Sequence, residues 1–165
     1  MPEYNLTEIE RLVDGELPWA RVQEIMKAPK DPDRFDKWLH ILQGRVPWQE
    51  KILLPLTTHL FIVQKGRERI VKCRCGQEFG DYRVNWKLSA LIYVRDTDET
   101  LQEIYRGREQ PDPAWVQLRE YYCPGCGSQL EVEAVPRGCP PDFEFLPDQQ
   151  EFVDKTVDVV REWSA

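Results

Sequence analysis

The sequence contains little that an independent active site or a membrane protein would need. Among its 165 residues there are only two histidines, His40 and His59. It has no P-loop and no G-x-G-x-x-G, G-x-S-x-G or H-E-x-x-H motif. No apolar run approaches the roughly 20 residues that span a bilayer, and the N-terminus has neither the basic nor the apolar segment of a signal peptide. We therefore expect a cytoplasmic protein without a complete active site of its own.

Basic residues are fewer than acidic residues. The chain has 22 basic and 29 acidic residues, which gives a net charge of −7. Because nonspecific affinity for nucleic acids comes from clusters of Lys and Arg, this balance argues against a nucleic-acid partner. Six Trp, six Tyr and six Phe are a high aromatic load for this length. Aromatic side chains are enriched in cores and at interfaces, so this composition is typical of a subunit of a larger assembly.

The patterning predicts one α+β domain with appendages, divided into three regions. Residues 1–56 form a helical N-terminal region, because apolar side chains recur at helical spacing over 6–13, 19–26 and 35–42. Residues 57–135 form a β-rich core, and residues 136–165 form an extended, proline-rich arm followed by an amphipathic helix at 149–163. The strands expected in the core are 59–64, 68–72, 88–94, 116–122 and 130–134, with a helix at 97–105. We expect these strands to form a small antiparallel sheet of zinc-ribbon-like hairpins, the first turning at residues 65–67.

Four of the five cysteines form two close pairs, Cys73 with Cys75 and Cys123 with Cys126, each at the end of an expected strand. In a reducing compartment disulfides are rare, so such pairs indicate metal ligands or redox groups. Each pair is followed by a glycine, which lets the backbone turn tightly around a bound ion. Two such turns facing each other form a tetrahedral four-sulfur site, the usual closed geometry of structural zinc. The sequence therefore predicts one structural Zn²⁺ ion held by the four cysteines.

Other interpretations of these cysteines stay open. The spacing from Cys73 to Cys75 is less regular than C-x-x-C, and 47 residues separate Cys75 from Cys123. Residues 123–127 also resemble half of a rubredoxin site, and four sulfurs suit iron as well as zinc. Thiol–disulfide exchange at Cys123 and Cys126 would require both thiols to be free of metal. Two unrelated, inert pairs are the simplest alternative. A catalytic zinc is disfavoured, because four thiolates leave no open position for water.

Four further residues bear on these pairs, and two of them, His59 and Cys139, have both a functional and an ordinary interpretation. His59 is a candidate fifth ligand or a replacement for one cysteine, whereas the ordinary interpretation is a hydrogen-bonded residue at a strand edge. Cys139, between a glycine and a proline, is either a reactive thiol or a passive loop residue. Lys72 and Arg74 flank the first pair and are placed to offset the formal charge of −2 that four thiolates on a divalent ion would carry.

Several segments along the chain are similar to a known family, the gamma subunit of acetone carboxylase and of the related acetophenone carboxylase. These segments are LVDG at 12–15, PKDPDRF at 29–35, PW at 47–48, KILLPL at 51–56, LFIVQ at 60–64, CRCG at 73–76, NWKLSA at 85–90, VRDT at 94–97 and REYYCPGCG at 119–127. The combination of the cysteine motifs with residues 86–90 carries most of the specificity. Beyond about residue 136 the resemblance is poor, and no role for Cys139 follows from it.

The resemblance implies a non-catalytic, zinc-containing small subunit that organises a biotin-independent, ATP-dependent ketone carboxylase, a carbon–carbon bond-forming ligase. The implied partners are larger alpha and beta chains, similar to hydantoinase and oxoprolinase enzymes, in a hetero-oligomer. Those chains would handle ATP, bicarbonate and the ketone, which is activated as an enol phosphate. Two functions of other classes remain as alternatives: a rubredoxin-like iron carrier of electrons, and a zinc-ribbon module that binds nucleic acid.

Overall fold

In the computed structural model, which describes residues 4–147, the chain forms four α-helices and two small antiparallel sheets. The helices are α1 (Leu6–Val13), α2 (Trp19–Lys27), α3 (Arg34–Gln43) and α4 (Asp98–Tyr105), with a 3₁₀ helix at Trp86–Ser89. The strands are β1 (Lys51–Pro55), β2 (Leu60–Lys65), β3 (Glu68–Cys73), β4 (Glu78–Asp81), β5 (Leu91–Arg95), β6 (Val116–Tyr122) and β7 (Gln129–Pro136). The first sheet has the order β1-β2-β3-β4 and the second β5-β6-β7. The α+β class is confirmed, but the expected single sheet is wrong because the strands divide into two.

The three N-terminal helices form as the apolar periodicity predicts. Asn5 caps α1, since its side chain accepts a hydrogen bond of 2.8 Å from the backbone N–H of Glu8. The helices share a small core, which consists of Tyr4, Ile9, Leu17, Ile25 and Ile41. Leu39 and Leu42 of α3 pack against a second cluster that includes Ile52 of β1. The helical region is therefore fastened to the first sheet through α3.

Strands β1 and β4 were not expected from the sequence. Residues 51–55 fall in the region predicted as helical, yet Ile52 pairs with Val63 and is buried. A short continuous apolar run does not distinguish a strand from a buried helical turn by periodicity, and the pairing with β2 decides it here. Strand β4 has only four residues and contains Gly80, so its local signal is weak.

The hairpin of β2 and β3 is confirmed. Lys65 pairs with Glu68, which leaves a two-residue turn whose first residue, Gly66, has a φ of 61°. Glycine adopts this conformation without steric cost, as the first position of a type II′ turn requires. The helix at residues 97–105 and the strands at 116–122 and 130–134 also agree with the structure to within two residues at each end.

The segment that leads from the first sheet to the second begins differently from the strand expected at residues 88–94. Asn85 caps a 3₁₀ helix, and strand β5 begins only at Leu91 instead of residue 88. The ring of Trp86 makes edge-to-face contacts, with centroids 6.0 Å apart, with Phe79 on one side and Tyr121 on the other. Trp86 thus joins the two sheets in one core that also contains Ile62, among others.

The last described residues, 137–147, have no regular secondary structure, as expected for an arm. The side-chain amide of Asn85 donates to the carbonyl oxygens of Pro141 at 3.2 Å and Asp142 at 3.1 Å, which fixes the arm across the core. The helix predicted at 149–163 lies outside the described residues. The division into three regions stays a prediction. No helix among residues 4–147 has the length and apolar character needed to cross a membrane.

Candidate metal centre

The first cysteine pair lies in a tight turn between β3 and β4. The backbone N–H of Cys73 donates to the carbonyl of Gln77, and the N–H of Gly76 donates back to the carbonyl of Cys73, both at 2.8 Å. Gly76 has a φ of 105°, which a side chain would disfavour. We call residues 73–77 the first knuckle. Its geometry turns the side chains of Cys73 and Cys75 toward a common point.

The second pair lies in a similar turn between β6 and β7, the second knuckle, residues 123–128. The N–H of Cys123 donates to the carbonyl of Ser128 at 2.9 Å, and the N–H of Gly127 donates to the carbonyl of Cys123 at 2.8 Å. A Cβ atom added at Gly125 would come within 3.0 Å of the Cβ of Gln77 and 3.4 Å of the sulfur of Cys75. The two knuckles therefore face each other so closely that a side chain at position 125 would require Gln77 to shift.

The four sulfur atoms form one group, all within 4.8 Å of one another. Across the knuckles, Cys73 Sγ lies 3.9 Å from Cys126 Sγ and Cys75 Sγ lies 3.7 Å from Cys123 Sγ. A tetrahedron with metal–sulfur bonds of about 2.3 Å has edges of about 3.8 Å. None of the four is in a disulfide. The structure thus brings together the cysteines singled out from the sequence, at spacings that can hold a tetrahedral metal ion.

The four thiols differ in environment. Cys73 and Cys123 are buried, whereas Cys75 and Cys126 are exposed. Burial raises the pKa of the Cys73 and Cys123 thiols above the ordinary value. The hydroxyl of Ser128 lies 3.3 Å from the sulfur of Cys126, and its hydrogen bond lowers the pKa of Cys126 to about 6. A bound cation is what would hold all four as thiolates, because it offsets the cost of burying two negative charges.

Trp48 supports the first knuckle from outside the group of ligands. Its indole N–H lies 3.2 Å from both the Cys73 and the Arg74 carbonyl oxygens and donates to them. The N–H of Arg74 in turn donates to the carbonyl of His59 at 2.7 Å. Thus His59 contacts the knuckle through its backbone, and the group of four sulfurs includes no histidine nitrogen. Sequence reasoning missed the role of Trp48, since Pro47-Trp48 entered only as part of the family resemblance.

The positive charge of Lys72 is paired with carboxylates outside the cysteine group. Its ammonium group forms an ion pair of 2.6 Å with Glu50 and lies 5.1 Å from the ring centroid of Trp48. A second carboxylate, that of Glu78, is 3.7 Å away. Lys72 therefore serves first as the buried partner of these carboxylates, and Arg74 is the other flanking cation near the knuckle.

A second charged cluster, around Lys87, was not anticipated. Lys87 is 2% exposed, and its ammonium group lies 2.7 Å from Glu131 and 3.1 Å from Glu144 and also contacts Glu133. The hydroxyl of Tyr121 donates to Glu133 at 2.6 Å. Burial alone would lower the pKa of Lys87, but the hydrogen bonds that its ammonium group donates to the three carboxylates raise it. The cation that these carboxylates surround is thus the lysine itself.

The Lys87 cluster depends on an irregularity in strand β7. The sequence predicts that Leu130, Val132 and Ala134 face inward and the two glutamates outward. The pairing of β6 with β7 shifts between Tyr121 and Tyr122, which inserts Leu130 as an extra residue. This bulge reverses the alternation, so that Glu133 is buried while Val132 is exposed. The expected orientation is therefore correct only for Leu130.

Cys139 lies apart from the other cysteines. It is exposed, in the loop that follows β7, and does not belong to the four-sulfur group. Its carbonyl oxygen accepts a hydrogen bond from the guanidinium of Arg119. A role for its thiol stays a prediction.

Comparison with known sequences gives concordant matches. The family described as acetone carboxylase gamma subunit matches residues 46–157, a span that contains both knuckles and continues past residue 136. The acetone carboxylase gamma subunit of Xanthobacter autotrophicus is 43% identical over 151 residues, which cover 90% of each chain. The acetophenone carboxylase beta subunit of Aromatoleum aromaticum is 35% identical over 68 residues, which cover 40% of this chain and 53% of that protein.

Proposed function

This chain belongs to the acetone carboxylase gamma subunit family, and we propose that it is the small, zinc-containing subunit of an ATP-dependent, biotin-independent ketone carboxylase. In this proposal it organises the complex and does not itself catalyse carboxylation. Its partners are larger carboxylase chains, similar to hydantoinase and oxoprolinase enzymes, in a cytoplasmic hetero-oligomer.

The observation that carries the structural part of the proposal is the spacing of the four sulfurs. The distances of 3.7 Å and 3.9 Å across the knuckles match the edge of about 3.8 Å expected for a tetrahedral four-sulfur shell. Cys73, Cys75, Cys123 and Cys126 would hold the ion. When bound, the metal supplies a cross-link between the first sheet and the second. Since all four positions are filled by sulfur, no position is left for a reacting water or substrate.

The pairing of the buried charges supports a structural role for the rest of the chain. All four buried cations of the described residues form ion pairs with carboxylates, namely Lys72, Lys87, Arg95 and Arg119. A charged group used in catalysis would be expected to point into a cleft with a partner kept free for the substrate. These groups instead stabilise contacts between strands, the 3₁₀ helix and the arm.

The relative lengths of the two matches favour acetone as the ketone of the complex. The match to the acetone carboxylase subunit covers 90% of this chain, whereas that to the acetophenone carboxylase subunit covers 40%. A pocket for the ketone would lie in the larger chains, so this assignment rests on the relatives and not on a site in this chain.

The proposal is tested by producing the chain alone and together with the larger chains of its carboxylase. We expect the chain to co-purify with them, to carry one zinc ion per copy by elemental analysis, and to be required for ATP-dependent carboxylation of acetone. The isolated chain should neither hydrolyse ATP nor carboxylate ketones. Turnover by the isolated chain, or a fully active complex that lacks it, would overturn the proposal.

The same four sulfurs also suit iron, so a rubredoxin-like electron carrier is the second candidate. Elemental analysis distinguishes the two without further assumptions. A red protein with one iron per chain and reversible reduction would favour electron transfer, whereas a colourless protein with zinc would exclude it.

A further inference from the structure

The two sheets have four outer edges, and three of them carry features that hinder the addition of another strand. Charged residues, prolines, bulges and very short strands all serve this purpose in natural sheets. Strand β1 has a bulge between Ile52 and Leu54 and ends in Pro55. Strand β4 is four residues long. Strand β7 carries charges at Glu131 and Glu133, together with a bulge and a terminal proline.

Strand β5 is the exception. Its first four residues, Leu91, Ile92, Tyr93 and Val94, are between 37% and 58% exposed, and none is charged or a proline. Because successive side chains of a strand point to opposite faces, both faces of β5 present apolar groups. Leu88, just before the strand, is exposed as well. Within residues 4–147, β6 is the one strand that pairs with β5, so its other side has no strand beside it.

This edge is also held in a fixed conformation. Arg95, the last residue of β5, donates to Glu120 of β6 at 2.8 Å and to Glu103 of α4 at 2.5 Å. It donates as well to the carbonyl of Thr100 at 2.8 Å. These contacts pin the end of β5 to its neighbours, so a partner would meet a preformed strand and lose less conformational entropy on binding.

We propose that β5 is the docking strand of this subunit, to which an extended segment of a larger carboxylase chain adds as a fourth strand of the second sheet. The inference rests on the proposed function. An unprotected edge offers a row of backbone N–H and C=O groups that only another extended backbone can pair with completely. The apolar side chains on both faces would then contact alternate side chains of the added strand.

The net charge of the chain favours a different protein, and not a second copy of this one, as the partner that docks on β5. Each copy carries −7, so pairing of two copies opposes their net charges. Directly beyond β5, the first turn of α4 adds two exposed carboxylates, Asp98 and Glu99. A complementary partner segment is therefore uncharged and apolar along β5, with Lys or Arg at the end that meets these carboxylates.

The test places a charge on this edge and, as a control, on the opposite edge of the same sheet. Leu91→Lys changes β5, and Val132→Lys changes β7, where Val132 is 49% exposed. The two side chains lie on one face, since Tyr93 pairs with Glu120 and Glu120 with Val132. Full-length variants are titrated against the larger carboxylase chains. We expect Leu91→Lys to weaken binding at least tenfold and Val132→Lys to bind like the wild type.

A second measurement uses the wild-type chain alone and in the complex. Backbone amides of β5 that point outward should exchange with deuterium quickly in the isolated chain and slowly in the complex, while those of β4 stay unchanged. Ile92→Lys, on the other face of β5, provides a further variant should Leu91→Lys melt at a lower temperature than the control.

The outcomes separate the two proposals. Wild-type protein that fails to bind the larger chains overturns the proposed function and this inference together. Normal binding by both β5 variants, with β5 amides still unprotected in the complex, overturns the docking strand alone. Amides of β5 that are protected in the isolated chain also overturn it, and light scattering then shows whether a second copy or residues 148–165 of the same chain cover the edge.

Discussion

The sulfur of Cys75 lies 3.7 Å from that of Cys123, although 47 residues separate the two in the sequence. Cys75 belongs to the first knuckle and Cys123 to the second, and the other close pair, Cys73 and Cys126, also crosses between knuckles. Neither knuckle can therefore complete the sulfur shell without the other. The four cysteines thus couple the first sheet to the second, at spacings that could hold a metal ion.

Loss of one ligand should remove the metal and destabilise the fold. In Cys73→Ser we expect less than a tenth of the wild-type metal content, because affinity in such sites is coupled to folding. A loss of about 3 kcal/mol would lower the melting temperature by roughly 6–12 °C for a chain of this size. Elemental analysis and thermal melting measure both effects. Cys139→Ser is the matched control, and a Cys73→Ser protein with full metal content and an unchanged melting temperature would show that the ligand set is wrong.

Trp48 should tune the metal site without being a ligand. Trp48→Phe removes the indole N–H that the carbonyl oxygens of Cys73 and Arg74 accept. Loss of such a supporting contact typically weakens metal affinity by about 10–100-fold. Competition with a chelator of known affinity measures the change. Trp115→Phe, at a tryptophan that is 75% exposed, should leave the affinity unaltered; equal effects of both substitutions would contradict the role of Trp48.

The stability of the fold should be highly sensitive to substitution of Lys87. Lys87→Met would leave the carboxylates of Glu131, Glu133 and Glu144 close together without their cation. Removal of one partner of a buried ion pair costs about 3–5 kcal/mol. Chemical denaturation at pH 7 measures the loss. For comparison, Lys65→Met removes an exposed pair with Glu78 and should cost less than about 1 kcal/mol. Similar losses of stability for both variants would mean that the buried ion pairs of Lys87 contribute no more to stability than an exposed pair does.

The buried pair of Arg95 and Glu120 predicts a dependence of stability on pH. The hydrogen bond from Arg95 lowers the pKa of Glu120 below its value in the unfolded chain. A group with a lowered folded pKa stabilises the fold above its unfolded pKa, about 4.3, and that contribution is lost as the pH falls through the folded value. Glu120→Gln should therefore be less stable than the wild type at pH 7, by roughly 3 kcal/mol.

The difference in stability between Glu120→Gln and the wild type should shrink as the pH is lowered from about 5 to 3, because the wild-type carboxylate is then protonated. Thermal melts across this range measure it. A difference that stays constant with pH would indicate that the substitution acts through packing and not through the charge of Glu120.

The parts of the fold that the sequence predicts are those fixed by local chemistry. The stripe of Leu6, Ile9 and Val13 behind its cap at Asn5 predicts α1, and Gly66 predicts the β2–β3 turn. The four cysteines are recognisable because each pair and its glycine lie within a few residues. These features need no knowledge of distant contacts.

What could not be predicted depends on pairing between remote segments. Strand β1 exists because Ile52 lies beside Val63, and the division into two sheets follows from where Trp86 and the knuckles place the strands. The burial of Glu133 follows from a one-residue bulge at Leu130, which reverses every side chain after it. From the sequence alone, Lys87 is indistinguishable from a surface lysine, because its burial depends on the strand that carries Glu133 and on the arm that carries Glu144.

The separation of the two knuckles along the chain also makes completion of the sulfur shell a long-range step. Each knuckle lies at the turn of a hairpin, β3–β4 for the first and β6–β7 for the second. Hairpins form in about 1–10 μs and depend on local contacts. Bringing the two knuckles together requires closure of the loop of 47 residues between Cys75 and Cys123. Each half of the shell can therefore form locally, whereas the complete shell requires both sheets to be in place.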